Sequence, residues 1–205
     1  LYSRFFMKAL SFENNKLELN EPFQGLFTQG MVCHETYKDK NNNWVSPDEI
    51  EIINGEKYLI KDNSKKVFVG PSESMSKSKK NTVDPEKIIK SYGADAVRLF
   101  ILSDSPPEKD VQWSEEGISS SHKFIQKLWA LHLEIVRQIN EDFSHNLEDK
   151  LTQFTSKFIK NISNNLENFS YNIIIANMHE MHSFLSKEIK KKYTKKTLVE
   201  NYNKI

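Results

Sequence analysis

The chain is poor in the residues that build covalent frameworks and closed metal sites. Among 205 residues the only cysteine is Cys33. That excludes an internal disulfide and any CxxC metal or redox pair within this stretch, and it makes a reducing compartment the simplest home. No HExxH pattern occurs and no GxxxxGK[ST] occurs, so neither a helical zinc site nor a phosphate loop built from glycine amides is on offer. No apolar run approaches the roughly 20 residues a bilayer-crossing helix needs, and the start carries no signal-peptide pattern. An excess of one charge is missing too. Lys and Arg number 29 against 28 Asp and Glu, a formal net charge of +1, so affinity for a polyanion has to come from local clusters and not from a global field. With 38% hydrophobic residues, a chain of this length is not disordered and supports one large domain or two small ones.

What is present are two basic clusters. Lys77, Lys79 and Lys80 fall within "SMSKSKKN" at 74–81, and Lys187, Lys190, Lys191, Lys192, Lys195 and Lys196 lie near the end. In isolation either one reads as a solvated charge run. The first is followed at once by strong helix-start chemistry: Asp84 to cap, Pro85 at the first helical position, Glu86 at the positive end of the dipole, and Gly93 to stop the helix. Lysines offer compact charge with three donors and serine hydroxyls add neutral hydrogen bonds, so such a loop suits a polyphosphate. Because it has side chains where a glycine loop has amides, it must be held in place or close over its ligand, and a mobile lid is the natural inference.

The rest divides by pattern. Tyr2, Phe5, Phe6, Ala9 and Leu10 have helical spacing and predict an amphipathic core helix over 1–12. The first residues, "LYSRFFMKAL", lack an initiator methionine and begin in mid-helix, so a longer parent protein is expected. "FQGLFTQGMVC" at 23–33 predicts a loop running into a buried strand. Residues 34–73 are polar and turn-rich, with "NNN" at 41–43, "NG" at 54–55 and β-prone "KYLI" and "KVFV", which predicts a small β-rich insertion. A short helix carrying Val97, Phe100 and Ile101 on one face ends at "DSPP". Beyond Trp113 the pattern is all helical. Ser114 caps a long helix with a stripe of Ile118, Ile125, Leu128, Trp129, His132, Ile135, Val136 and Ile139. A second stripe is Leu147, Leu151, Phe154, Phe158, Ile162 and Leu166, and a third is Tyr171, Ile174, Ile175, Met178, His182, Leu185 and Ile189. Three antiparallel helices of this kind make a bundle, with His132, His179 and His182 as packing residues and no metal site.

The string "SMSKSKKNTVDPEKIIKSYGADAVRLFILSDSPPEKDVQWSEEG", 74–117, resembles the second signature region of class I aminoacyl-tRNA synthetases. The subgroup for aliphatic amino acids and methionine shares a "KMSKS" loop, a following Asn (Asn81 here), "DP" and a "YGAD..R" helix. "LYSRFFMKAL", "GLFTQGMV", "WVSPDEI" and the basic residue after the signature are similar to the bacterial and organellar leucine branch. The insertion before the signature resembles the leucine-specific one.

The resemblance implies a mixed fold. Residues 1–33 are the end of a Rossmann-like catalytic domain, 34–73 the insertion, 74–117 the signature loop with stem-contact helices, and 118–205 a truncated anticodon-binding helical bundle. It implies ATP with Mg²⁺ as the substrate complex, leucine and tRNA(Leu) as partners, no membrane, a monomer, and a cytoplasmic location, or the mitochondrial matrix for an organellar form. Ser74, Met75, Ser76, Lys77 and Ser78 form the ATP-binding loop, with Lys77 as the catalytic phosphate contact and Lys79 and Lys80 as auxiliary contacts. Asp95 and Arg98 are structural, and bundle lysines meet tRNA phosphates. Ser74 departs from the family, which has lysine there. Loss of one charge-assisted contact worth about 1.5–3 kcal/mol slows activation by about tenfold to a hundredfold unless Lys79 or Lys80 compensates. The other class signature, "HIGH", the editing domain and most of the nucleotide-binding sheet are absent, so the chain alone is not expected to complete the reaction. A stand-alone tRNA- or protein-binding module derived from a synthetase is the alternative.

Overall fold

The turn and strand signals of the first third build two small sheets. In the computed structural model, which describes residues 1–13, 21–141, 150–191 and 193–205, β1 (Val32–Lys38) is the centre of the first. It pairs antiparallel with β5 (Phe68–Ser74) and parallel with the two-residue β6 (Val111–Gln112). The second sheet is an antiparallel meander of β2 (Ile50–Ile53), β3 (Glu56–Leu59) and β4 (Asp62–Lys66). Asn54 and Gly55 form the β2–β3 turn, both at positive φ (51° and 83°), the combination whose twist matches the strands it joins. Tyr37, Val45 and Val67 are buried beneath the meander with Ile50 and Leu59 against them.

The helical signals are answered closely where they are local. Helix α2 (Pro85–Tyr92) is capped by Asp84, whose carboxylate accepts from the Glu86 amide at 3.0 Å. It ends on Gly93 at φ 83°, whose amide donates to the Ile89 carbonyl. Helix α3 (Ala94–Ser103) follows directly, and the side chain of Ser114 accepts from the Gly117 amide at the start of α4 (Glu115–Glu141). Phe100, Val111 and Ile118 form a second core that fastens α3, β6 and α4 together, with Trp113 edge-on to Phe100. Arg98 and Asp95 meet only as an exposed pair at 3.7 Å.

The bundle contains α4, α5 (Lys150–Glu167), α6 (Tyr171–Glu188), a single 3-10 turn at Ile189–Lys191, and α7 (Lys195–Tyr202). The short α5–α6 connection makes those two helices antiparallel neighbours. Their core is Leu131, Ile135, Leu151, Met181, Leu185, Ile189, Tyr193 and Leu198. The histidines pack as expected: His132 bonds the Tyr202 hydroxyl through Nδ1, His179 stacks on Phe124 with ring centres 3.7 Å apart, and His182 meets the same ring edge-on.

Three expectations are corrected. The apolar face of α1 (Tyr2–Glu13) is not a core face within this chain, since Phe5 is 73% and Phe6 65% exposed; periodicity identifies an apolar face but not what covers it. On α4 the buried side runs through Ile118, Ser121, Phe124, Leu131, Ile135 and Gln138, while Trp129 and Val136 of the predicted stripe are exposed. The helix turns Phe124 and Leu131 inward because α6 and α7 cover that side. Finally, α7 adds a helix that the three-stripe reading lacks. Leu147 and Lys192 lie outside the described residues.

Candidate functional site

The signature loop leaves the sheet at the end of β5. Ser74 is its last residue, opposite Cys33 on β1, with the hydroxyl 4.0 Å from the buried thiol. The Met75 amide donates to the Val32 carbonyl at 3.2 Å, which extends the pairing by one residue. The chain then turns. Ser76 Oγ accepts from the Lys79 amide at 3.3 Å and lies 3.3 Å from Ser78 Oγ, and the Lys80 amide donates to the Lys77 carbonyl. Lys80 takes a left-handed conformation (φ 56°) to close the turn. Asn81 then returns to the sheet and is completely buried.

The lysines are presented differently. Lys77 and Lys80 are exposed at the turn, and their ammonium groups have no hydrogen-bond or ion-pair partner among the described residues. Lys79 is half-buried and its ammonium sits on the Glu73 carboxylate of β5. Two of the three clustered charges are therefore available to an anion, and the third has to leave Glu73 first. The bundle cluster is partly neutralised as well: Lys191 pairs with Glu188 at 2.6 Å, and Lys196 lies 3.9 Å from Glu200.

Beside the loop, β1, the β2–β3 hairpin and the N-terminal ends of α2 and α4 enclose a cleft of about 650 Å³ bounded by His34, Glu35, Lys57, Asp84, Trp113 and Glu115. Glu35 accepts from Lys57 Nζ at 2.5 Å and from the Tyr37 hydroxyl at 2.8 Å. The bond from Lys57 chiefly holds its carboxyl below the ordinary value against the effect of burial. Burial pushes the His34 imidazole down. No group of three or more His, Cys, Asp or Glu among the described residues is arranged to hold a metal ion.

The loop and its lysines are legible in the sequence as a basic turn; the Glu73 carboxylate under Lys79 and the main-chain bonds of Asn81 are not, because both depend on how the strands meet.

The family model for tRNA synthetases class I (I, L, M and V) matches residues 67–114, the stretch from the start of β5 to the capping serine of α4. Leucine--tRNA ligase of Rickettsia typhi is 44% identical over 191 residues, covering 93% of this chain and 23% of that protein. The Rickettsia africae enzyme of the same name is 42% identical over 204 residues, covering 99% of this chain and 24% of its own length. The crystal structure of the Agrobacterium radiobacter LeuRS-tRNA-LeuAMS ternary complex shares the fold, with a TM-score of 0.67 at 20% identity over 98% of this chain and 22% of that one. A lysine-bearing signature turn on the edge of a small sheet, fastened through α3 to a helical bundle, carries the stretch that the class I synthetase family model matches, and the chain is similar to that class. Its similarity within the class is to the leucine enzymes. The chain spans about a quarter of the length of these curated relatives. No helix among the described residues is long and apolar enough to cross a membrane.

Proposed function

We propose that the parent protein is a leucine-tRNA ligase and that this chain supplies its ATP-closing loop and tRNA-binding helical domain. In this reading the leucine carboxylate attacks the α-phosphate of ATP·Mg²⁺, a new C–O–P link forms and pyrophosphate leaves. The terminal adenosine hydroxyl of tRNA(Leu) then takes the leucyl group and AMP departs. The observation that carries the reading is the exposed Lys77, whose ammonium has no partner among the described residues, at the apex of a turn whose two ends are fastened to the sheet. A mobile ammonium on a fixed base can strengthen its contact as negative charge builds on departing pyrophosphate, which is what accelerates the step.

Ser74, Met75, Ser76 and Ser78 complete the ATP-side loop. Of the auxiliary contacts, the Lys80 ammonium has no partner among the described residues, and Lys79 becomes available only on leaving Glu73. Residues 1–33 belong to the catalytic domain, 34–73 to the insertion, 74–117 to the loop and stem-contact helices, and 118–205 to the bundle that holds the tRNA body through salt-dependent phosphate contacts. The whole enzyme works as a cytoplasmic monomer.

The test is leucine-dependent ATP–pyrophosphate exchange by the protein from the full reading frame, wild type against Lys77→Ala. The substitution should lower kcat by about tenfold to a hundredfold with leucine KM within about twofold, as for a contact made in the transition state. Equal loss in kcat and in leucine affinity would remove Lys77 from that role.

A further inference from the structure

Asn81 is the most deeply buried polar side chain of the loop region, 0% exposed, where an amide is seldom found without a full set of partners. Its bonds all go to main chain at the root of the signature turn. Oδ1 accepts from the Ser76 amide at 2.9 Å, and Nδ2 donates to the carbonyls of His34 (3.2 Å) and Glu73 (3.1 Å). His34 and Glu73 face each other across β1 and β5. One amide therefore ties together both strands and both ends of the turn, while nothing in it reaches the ammonium groups of Lys77 or Lys80.

We infer that Asn81 is a positioning residue: a buried amide that fastens the first and last residues of the 76–81 turn to the sheet, and so sets where Lys77 is presented while leaving the apex free to close. Only an amide of this size does this. A carboxylate of the same shape has no donor for the two carbonyls, a leucine fills the volume but leaves all three main-chain groups unpaired, and a glutamine is too long for a site with no exposure. The catalytic consequence rests on the phosphate role proposed for Lys77. The clamp itself does not.

The experiment uses Asn81→Asp and Asn81→Ala in the protein from the full reading frame. In leucine-dependent ATP–pyrophosphate exchange, kcat should fall about tenfold or more with leucine KM within about twofold, since the nucleophile's site is untouched and only the ammonium's position is lost. Trypsin should cut after Lys77 or Lys80 faster than in wild type, with cleavage elsewhere unchanged. A fall in kcat that only matches the loss of folded protein, or unchanged cleavage of the loop, overturns the inference. Should neither variant fold, hydrogen exchange in the wild type decides: the Ser76 amide is expected to exchange as slowly as the amides of β5, and exchange as fast as at Lys77–Lys80 refutes the clamp. A wild type without leucine-dependent exchange would sink the proposed function, and the protease and hydrogen-exchange measurements would still judge Asn81.

Discussion

The Gly30 amide donates to the Pro107 carbonyl at 2.8 Å, and a Cβ at this position would lie 2.1 Å from the Lys109 carbonyl oxygen. Backbone cannot swing aside as a long side chain can, so the segment leading into β1 crosses 107–110 only because residue 30 has no side chain. Gly30→Ala should cost about 1–3 kcal/mol, read as a lower urea midpoint. Gly25→Ala, which meets nothing within 4 Å, should stay within about 0.5 kcal/mol. In the bundle, Glu188 is 8% exposed and accepts from Lys191 at 2.6 Å and from the Tyr193 hydroxyl at 2.5 Å. Burial pushes its carboxyl up, and the bonds from Lys191 and Tyr193 outweigh that, leaving it below the ordinary value of 4.5. The folded state thus resists protonation more than the unfolded chain does. Its contribution is complete above the ordinary value and is lost as pH falls through the folded one. Glu188→Gln should therefore lose less stability than wild type on acidification, measured by chemical denaturation at a series of pH values; an unchanged pH slope would mean that the carboxylate contributes nothing.

At the scale of elements, the choice of buried face on α4 separates two accounts of the bundle. The stripe read from sequence counts Trp129 as core, whereas the structure buries Leu131 to 8% and leaves Trp129 62% exposed, stacked on His132. Leu131→Ala should then cost about 2–5 kcal/mol and Trp129→Ala less than about 1 kcal/mol, the scale of an exposed aromatic contact; the reverse ranking in thermal unfolding would restore the stripe. What was legible here was local chemistry: the Asp84 and Ser114 caps, the Gly93 stop and the Asn54–Gly55 turn all follow from residues within a few positions of each other. What was not legible depended on distant partners. The two residues of β6 become a strand only because Cys33 and its neighbours lie alongside them, and α7 exists as a packed helix only because Leu198 finds the bundle core. Asn81 shows the same limit at the site, because an asparagine beside three lysines has the look of a loop residue until two strands meet around it.

Taken as a whole, the molecule is built from small cores joined in series. The meander covers Tyr37, Val45 and Val67, the α3–β6–α4 junction covers Phe100 and Ile118, and the bundle has the largest core of the three. The junction matters most for function, because it fixes the sheet that carries the signature turn to the helices proposed to hold tRNA. By contrast the apolar face of α1 and the side chains of Phe23 and Leu26 are exposed, in a chain that corresponds to about a quarter of its relatives' length. The account's central claim concerns the parent protein, and the most direct test is amino-acid-dependent ATP–pyrophosphate exchange by the product of the full reading frame, with leucine, isoleucine, valine and methionine compared side by side. Exchange supported by leucine well above the other amino acids is the predicted result, and it would also show that serine at position 74 is tolerated. Exchange with none of them, or preference for another amino acid, would contradict the account.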